Sequence, residues 1–164
     1  MTQFTVPGVR GKARPRFTRQ GVVYTPAETR TYEQAVRLAY AAAGGRMHDG
    51  PVALLLTVYQ ALPKRATKAQ RAAAERGEIH PISKPDLDNV LKIVLDALNG
   101  AAYADDRQVV RLDARKLYTP GESRICVAFG DYDTMPTAEA VWAERMDTHE
   151  NPEGCKPRDA GQVL

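Results

Sequence analysis

Two acidic pairs stand close together in this chain. Asp86 and Asp88 open the segment KPDLDNVLKIVLDALNG, residues 84–100, and Asp105 and Asp106 follow in YADDRQV, residues 103–109. Neighbouring carboxylates repel, so a pair held by a fold calls for a cation, a proton or water. Mg²⁺ prefers oxygen donors, is often held by few carboxylates, and keeps waters that can act as nucleophiles. Asp86, Asp88 and one acid of the second pair would make such a site. No His/Cys cluster at zinc spacing competes with it. Lys92, one turn beyond Asp88, would set an ammonium where negative charge builds on a phosphate. The bland alternatives are helix capping for Asp86 or Asp88 and an i, i+4 ion pair of Lys92 with Asp88 or Asp96. No Ser or Cys lies in a nucleophile motif, and there is no Walker-type glycine loop. His80, alone before Pro81, reads as loop, and His48 and His149 carry no assignment.

The acids need elements to hold them. Pro85 stiffens the backbone just before Asp86, and the apolar spacing predicts a helix over 86–99, ended by Asn99-Gly100. Leu87, Leu91, Val94/Leu95 and Leu98 are expected to face the core, with Asp88, Lys92 and Asp96 on another face. A second helix is expected over 27–43, with Tyr32, Ala35/Val36, Ala39 and Ala43 recurring at helical spacing. Strands are expected near 3–6, 52–60, 108–118 and 123–129, the last two as a hairpin around TPGE. VVYTP suggests a further short strand, and PKRATKAQRAAAERG a weakly packed surface helix. The expected architecture is α+β: a small mixed sheet with helices packed on it, gathering the acids on one edge.

At 164 residues the chain is one domain's worth. Residues 1–130 are expected to form the folded domain, and 131–164 an acidic, mobile tail with a short helix carrying Trp142. The net charge of +3 hides an asymmetry. From Asp131 onward eight acidic residues face three basic ones, so the body is strongly basic. A basic body with an acidic tail points to a polyanionic partner. Its clearest feature is VRGKARPRFTRQG, where Arg10, Lys12, Arg14, Arg16 and Arg19 occur without an acid. Such residues suit phosphate contacts, which give affinity without sequence readout; Lys68 and Arg71 on the surface helix are weaker candidates. No apolar run approaches the roughly 20 residues that cross a bilayer. With no visible signal peptide and no disulfide framework from Cys126 and Cys155, a cytoplasmic setting is expected.

These residues together resemble the RusA family of Holliday junction resolvases, the crossover junction endodeoxyribonucleases common in phages and prophages. The likeness is carried by KPDLDNVLKIVLDALNG, by YADDRQVV, and by VPGVRGKARPRFT with VVYTP, over roughly residues 3–130. It implies Mg²⁺-dependent cleavage of four-way-junction DNA by a homodimer, with Mn²⁺ as a possible substitute and no small-molecule cofactor. Paired nicks would leave 5′-phosphate and 3′-hydroxyl ends. The family's metal-holding acids fall on Asp86, Asp88 and Asp106, and its active-site lysine on Lys92; Asp105 and Asp96 become supporting residues. A bacterial cytoplasm, with a phage or prophage source, is the implied setting. The rival readings are a non-catalytic junction- or DNA-binding accessory protein, and a metal nuclease acting on other branched DNA.

Overall fold

The structure is a computed structural model and describes residues 1–13, 16–17, 23–24 and 26–146. Its centre is β4, Val52–Ala61, in which every residue from Val52 to Tyr59 is buried. A strand apolar on both faces must be covered on both. Val52, Leu54, Leu56 and Val58 face the larger core, under α1 (Ala27–Ala42) and α3 (Leu87–Leu98), while Ala53 and Leu55 face α4 (Ala138–Met146).

The sheet order is β1–β6–β4–β5, with β1 at Thr2–Pro7, β5 at Val109–Thr119 and β6 at Arg124–Asp131. β4 is antiparallel to β6 and parallel to β5. The α+β mixed sheet expected from sequence is therefore present. The expected hairpin of the last two strands is not: β5 and β6 are consecutive but β4 lies between them. The buried run of β4 takes the central place, and β5 is left as an edge strand with Val110 and Leu112 exposed. A short pair, β2 (Arg16–Phe17) and β3 (Val23–Tyr24), stands apart from this sheet.

In α1 the core stripe is Thr29, Tyr32, Val36 and Tyr40. In α3 it is Val90, Ile93, Val94, Ala97 and Leu98, an i, i+3, i+4, i+7, i+8 pattern. The stripe expected from sequence is thus rotated. Leu87, Leu91 and Leu95 are only half-buried along the flank, because α3 carries more apolar residues than one face can hide.

The basic helix is α2, Lys68–Glu75, which buries only Ala74 and starts with a capping box from Thr67 and Gln70. Residues 131–146, expected within a mobile tail, extend the packed body: Met135, Ala138 and Val141 are buried on the back of the sheet. Arg115 stacks its guanidinium over Trp142 there, 4.2 Å from the ring centroid. Among the described residues no helix is long and apolar enough to cross a membrane.

Candidate active site

The first acidic pair sits at the start of α3. Asp86 is the N-cap, with the extended backbone expected of a cap, but its side chain makes no capping hydrogen bond. Asp88 lies in the first turn, and both residues are exposed. The backbone before them is held from the sheet. Lys116 Nζ on β5 donates to the Ser83 and Pro85 carbonyls at 2.7 and 3.0 Å. Gln60 Nε2 on β4 donates to Ser83 Oγ and the Lys84 carbonyl at 2.9 and 3.2 Å. Lys116 and Gln60 position the acid-bearing loop, and sequence inspection missed both. They stand on strands far away in the chain and share no motif with the acids.

Lys92 is exposed one turn along α3 and forms no salt bridge among the described residues. The i, i+4 pair with Asp96 is pre-empted, because Asp96 is bound to Lys12. Lys12 Nζ bridges Asp96 at 2.7 Å and Glu33 at 2.5 Å, joining α3 to α1. Partial burial works against the ammonium's charge, but the hydrogen bonds to Asp96 and Glu33 outweigh it and raise the pKa above the usual lysine value. Two expectations are corrected here. Lys12 is a clasp between helices, not a free phosphate contact, and Asp96 supports that clasp instead of a metal site.

The rest of the arm has mixed fates. Arg10 meets Glu28 at 3.4 Å in an exposed pair, which is worth little and exchanges readily for a phosphate. Arg16 lies in β2; Arg14 and Arg19 lie outside the described residues. The Lys12 amide donates to the Asn89 carbonyl at 2.8 Å, and a Cβ on Gly11 would meet Asn89 and Pro85 Cβ atoms at 3.1 Å. The arm is thereby laid against the start of α3. Between it and the start of α1 opens a cleft of about 630 Å³, lined by Arg10, Gly11, Ala13, Pro26, Lys84 and Pro85 among others. Lys68 and Arg71 are exposed on α2, and Arg71 donates to the Lys64 carbonyl at 3.4 Å.

The second acidic pair is at the other end of α3. Asn99 closes the helix, and Gly100, at φ 73°, turns the chain. Buried Tyr103 then ties it back by donating its hydroxyl to the Leu95 carbonyl at 2.7 Å. A 3₁₀ turn at Asp106–Gln108 leads into β5, which runs back along α3 until Lys116 reaches Pro85. The two acids of the pair differ. Asp105 caps the 3₁₀ turn, accepting from the Arg107 amide and Nε at 2.9 and 2.8 Å. The Arg107 side chain, then its amide, hold the Asp105 carboxyl below the usual range. Gln108 completes the capping box and donates to the His48 and Gly50 carbonyls. Asp106 is exposed and forms no salt bridge among the described residues.

The 12 residues of α3 span about 18 Å at 1.5 Å per residue, so Asp106 is about that far from Asp86 within one chain. Among the described residues no three His, Cys, Asp or Glu side chains converge on a possible cation. The expectation that one subunit gathers its acids on one sheet edge is therefore corrected. The returning strand begins beside the helix end, not beside its start. Asp86 and Asp88 remain chemically suited to a hard divalent cation, since they offer exposed oxygen donors with no cap or salt bridge among the described residues.

A second acid–base pair lies near the β4–β6 end of the sheet. His48, buried, has Nδ1 2.6 Å from Asp131 Oδ1, and Arg46 approaches the same carboxylate at 2.9 Å. The hydrogen bond from His48 is the largest influence holding the Asp131 carboxyl below its usual range. His48 had no sequence signal, because its partner stands 83 residues away.

Residues 7–129 match the family model described as Endodeoxyribonuclease RusA. The chain is also similar to protein YqaN of Bacillus subtilis (strain 168), with 39% identity over 124 residues, covering 71% of this chain and 87% of that protein.

Proposed function

Since this chain belongs to the RusA family of endodeoxyribonucleases, we propose that it is a Mg²⁺-dependent, homodimeric resolvase that nicks four-way DNA junctions, with Mn²⁺ able to replace Mg²⁺. The observation that carries this is the pair Asp86 and Asp88, exposed and uncapped at the start of α3, beside the basic arm. A divalent cation held by these carboxylates and Asp106 would supply an activated water and shield the phosphate.

The chain's own groups account for the rest. Gln60 and Lys116 fix the backbone that presents Asp86. Lys92, on the same helix, offers its ammonium to charge that develops on the phosphate oxygens. Arg10 and Lys84 line the cleft that opens beside Pro85 and give a strand its backbone contacts. Nicks with 5′-phosphate and 3′-hydroxyl ends follow from water attacking phosphorus and the 3′ oxygen leaving.

The dimer enters for a geometric reason. One subunit holds Asp86 and Asp88 at one end of α3 and Asp106 beyond the other. A second copy related by a two-fold axis across the middle of α3 runs its own helix in the opposite sense. Asp86 and Asp88 of each copy then lie toward Asp106 of the other. The half-buried ridge of Leu87, Leu91 and Leu95, with exposed Leu112 on edge strand β5, is an apolar surface suited to that contact.

The test is cleavage of a labelled four-way junction, a flap and a duplex, with and without Mg²⁺. Asp86→Asn and Asp88→Asn are each expected to lower cleavage by at least about 10³-fold while junction binding persists or tightens. Normal cleavage by either variant rejects the metal site. Equal cutting of flap and duplex keeps a nuclease and rejects junction selectivity; junction binding without cutting under any metal favours an accessory protein.

A further inference from the structure

Four residues before Asp86, the chain displays an isoleucine with no packing role. Ile82 is 99% exposed, the most open of the large hydrophobic residues described. Its surroundings are nevertheless fixed. Pro81, the preceding residue, is buried, and Ser83, Lys84 and Pro85 accept the four hydrogen bonds from Gln60 and Lys116. Side chain 82 is therefore held outward by a braced loop.

The stretch of chain that leads to it is cationic. Residues 63–85 contain six Lys or Arg against two Glu, and Lys84 lines the cleft beside the acids. That setting suits DNA better than an apolar protein partner, which the ridge of Leu87, Leu91 and Leu95 accommodates more naturally. An isoleucine offers nothing to a phosphate. Its use against DNA is as a wedge between stacked base pairs, with backbone contacts holding the duplex on either side. Continuous duplex resists a wedge because stacking must be broken. At a branch point the arms already interrupt the stack, and insertion there costs less.

We propose that Ile82 is a specificity-determining residue that inserts at the branch point and so favours branched over continuous DNA. It touches bases, not the reacting phosphate, and it sets which phosphate reaches Asp86 and Asp88. This rests on the nuclease reading above.

The experiment uses the full chain and a four-way junction carrying 2-aminopurine beside the branch point, in EDTA so that the DNA stays intact. Wild type is expected to raise the fluorescence as the base unstacks, and Ile82→Ala to abolish that rise. In Mg²⁺, Ile82→Ala should lower kcat/KM on the junction about tenfold, with unchanged duplex affinity and dimer mass, and Ile82→Leu should restore both signals. A fluorescence rise and cleavage rate unchanged in Ile82→Ala would overturn the wedge. So would loss of the dimer in that variant, which would assign Ile82 to the subunit contact. A wild type that cuts junctions without any rise removes the wedge alone. One that neither binds nor cuts branched DNA removes it together with the nuclease reading.

Discussion

Aspartate is a favoured N-cap because its carboxylate can accept from the backbone amides one turn inside the helix. Asp105 does this at its 3₁₀ turn; Asp86 occupies the same kind of position in α3 and does not. The contrast separates acids that close a local structure from acids left for another partner, and it puts Asp106, not Asp105, in the second group. The His48–Asp131 pair is a further case of carboxylate chemistry, here structural. Asp131 has a folded pKa below its unfolded value of about 3.9. Its contribution to stability is therefore complete above that unfolded value and lost as pH falls through the folded one. Asp131→Ala also leaves buried His48 without its partner, at a cost of about 1–2 kcal/mol after allowing for the exposure of Asp131. Thermal unfolding should show this variant less stable at neutral pH, with the gap to wild type closing in acid. A gap that stays constant down to pH 2–3, a range set around the reference carboxylate value of about 3.9, would mean that the charge on the Asp131 carboxylate is not its source.

At the scale of elements, α3 does three tasks with one short sequence: it buries a core stripe, displays Asp88 and Lys92, and leaves Leu87, Leu91 and Leu95 along its flank. If that flank is the subunit contact, Leu91→Asp should give a folded monomer with no junction cleavage. Light scattering would report the mass, and circular dichroism the retained helices; a Leu91→Asp dimer of normal mass would rule the contact out. The existence of α1, α3, β4 and both acidic pairs was legible because each rests on local spacing. The rotated stripe of α3 was not, since apolar residues occupy more than one face and only the neighbouring elements decide which is buried. Nor was the insertion of β4 between β5 and β6, which depends on competition for the sheet centre. The Lys12 clasp was hidden for a related reason. Its arm looked uniformly basic, while the carboxylates that neutralise it, Glu33 and Asp96, come from two helices elsewhere.

For the whole molecule, the separation of the acids makes a prediction that no single-subunit site shares. Asp88→Asn and Asp106→Asn should each be inactive alone. In a mixed dimer of the two, one site receives both substitutions, and the other receives Asp88 from one copy and Asp106 from its partner, with neither substitution. Random exchange places half of the subunits in mixed dimers, each with one intact site of two, so about a quarter of the wild-type sites should return. The recovered product should be single nicks, because the opposing strand faces the doubly substituted site. Refolding the two variants together, against each refolded alone, measures this directly on a labelled junction. Recovery of nicking requires acids from two chains. Its absence, with subunit exchange verified by mass, would require each chain to close its own site by bringing Asp106 across the length of α3, which the Tyr103 and Lys116 tethers at its two ends oppose.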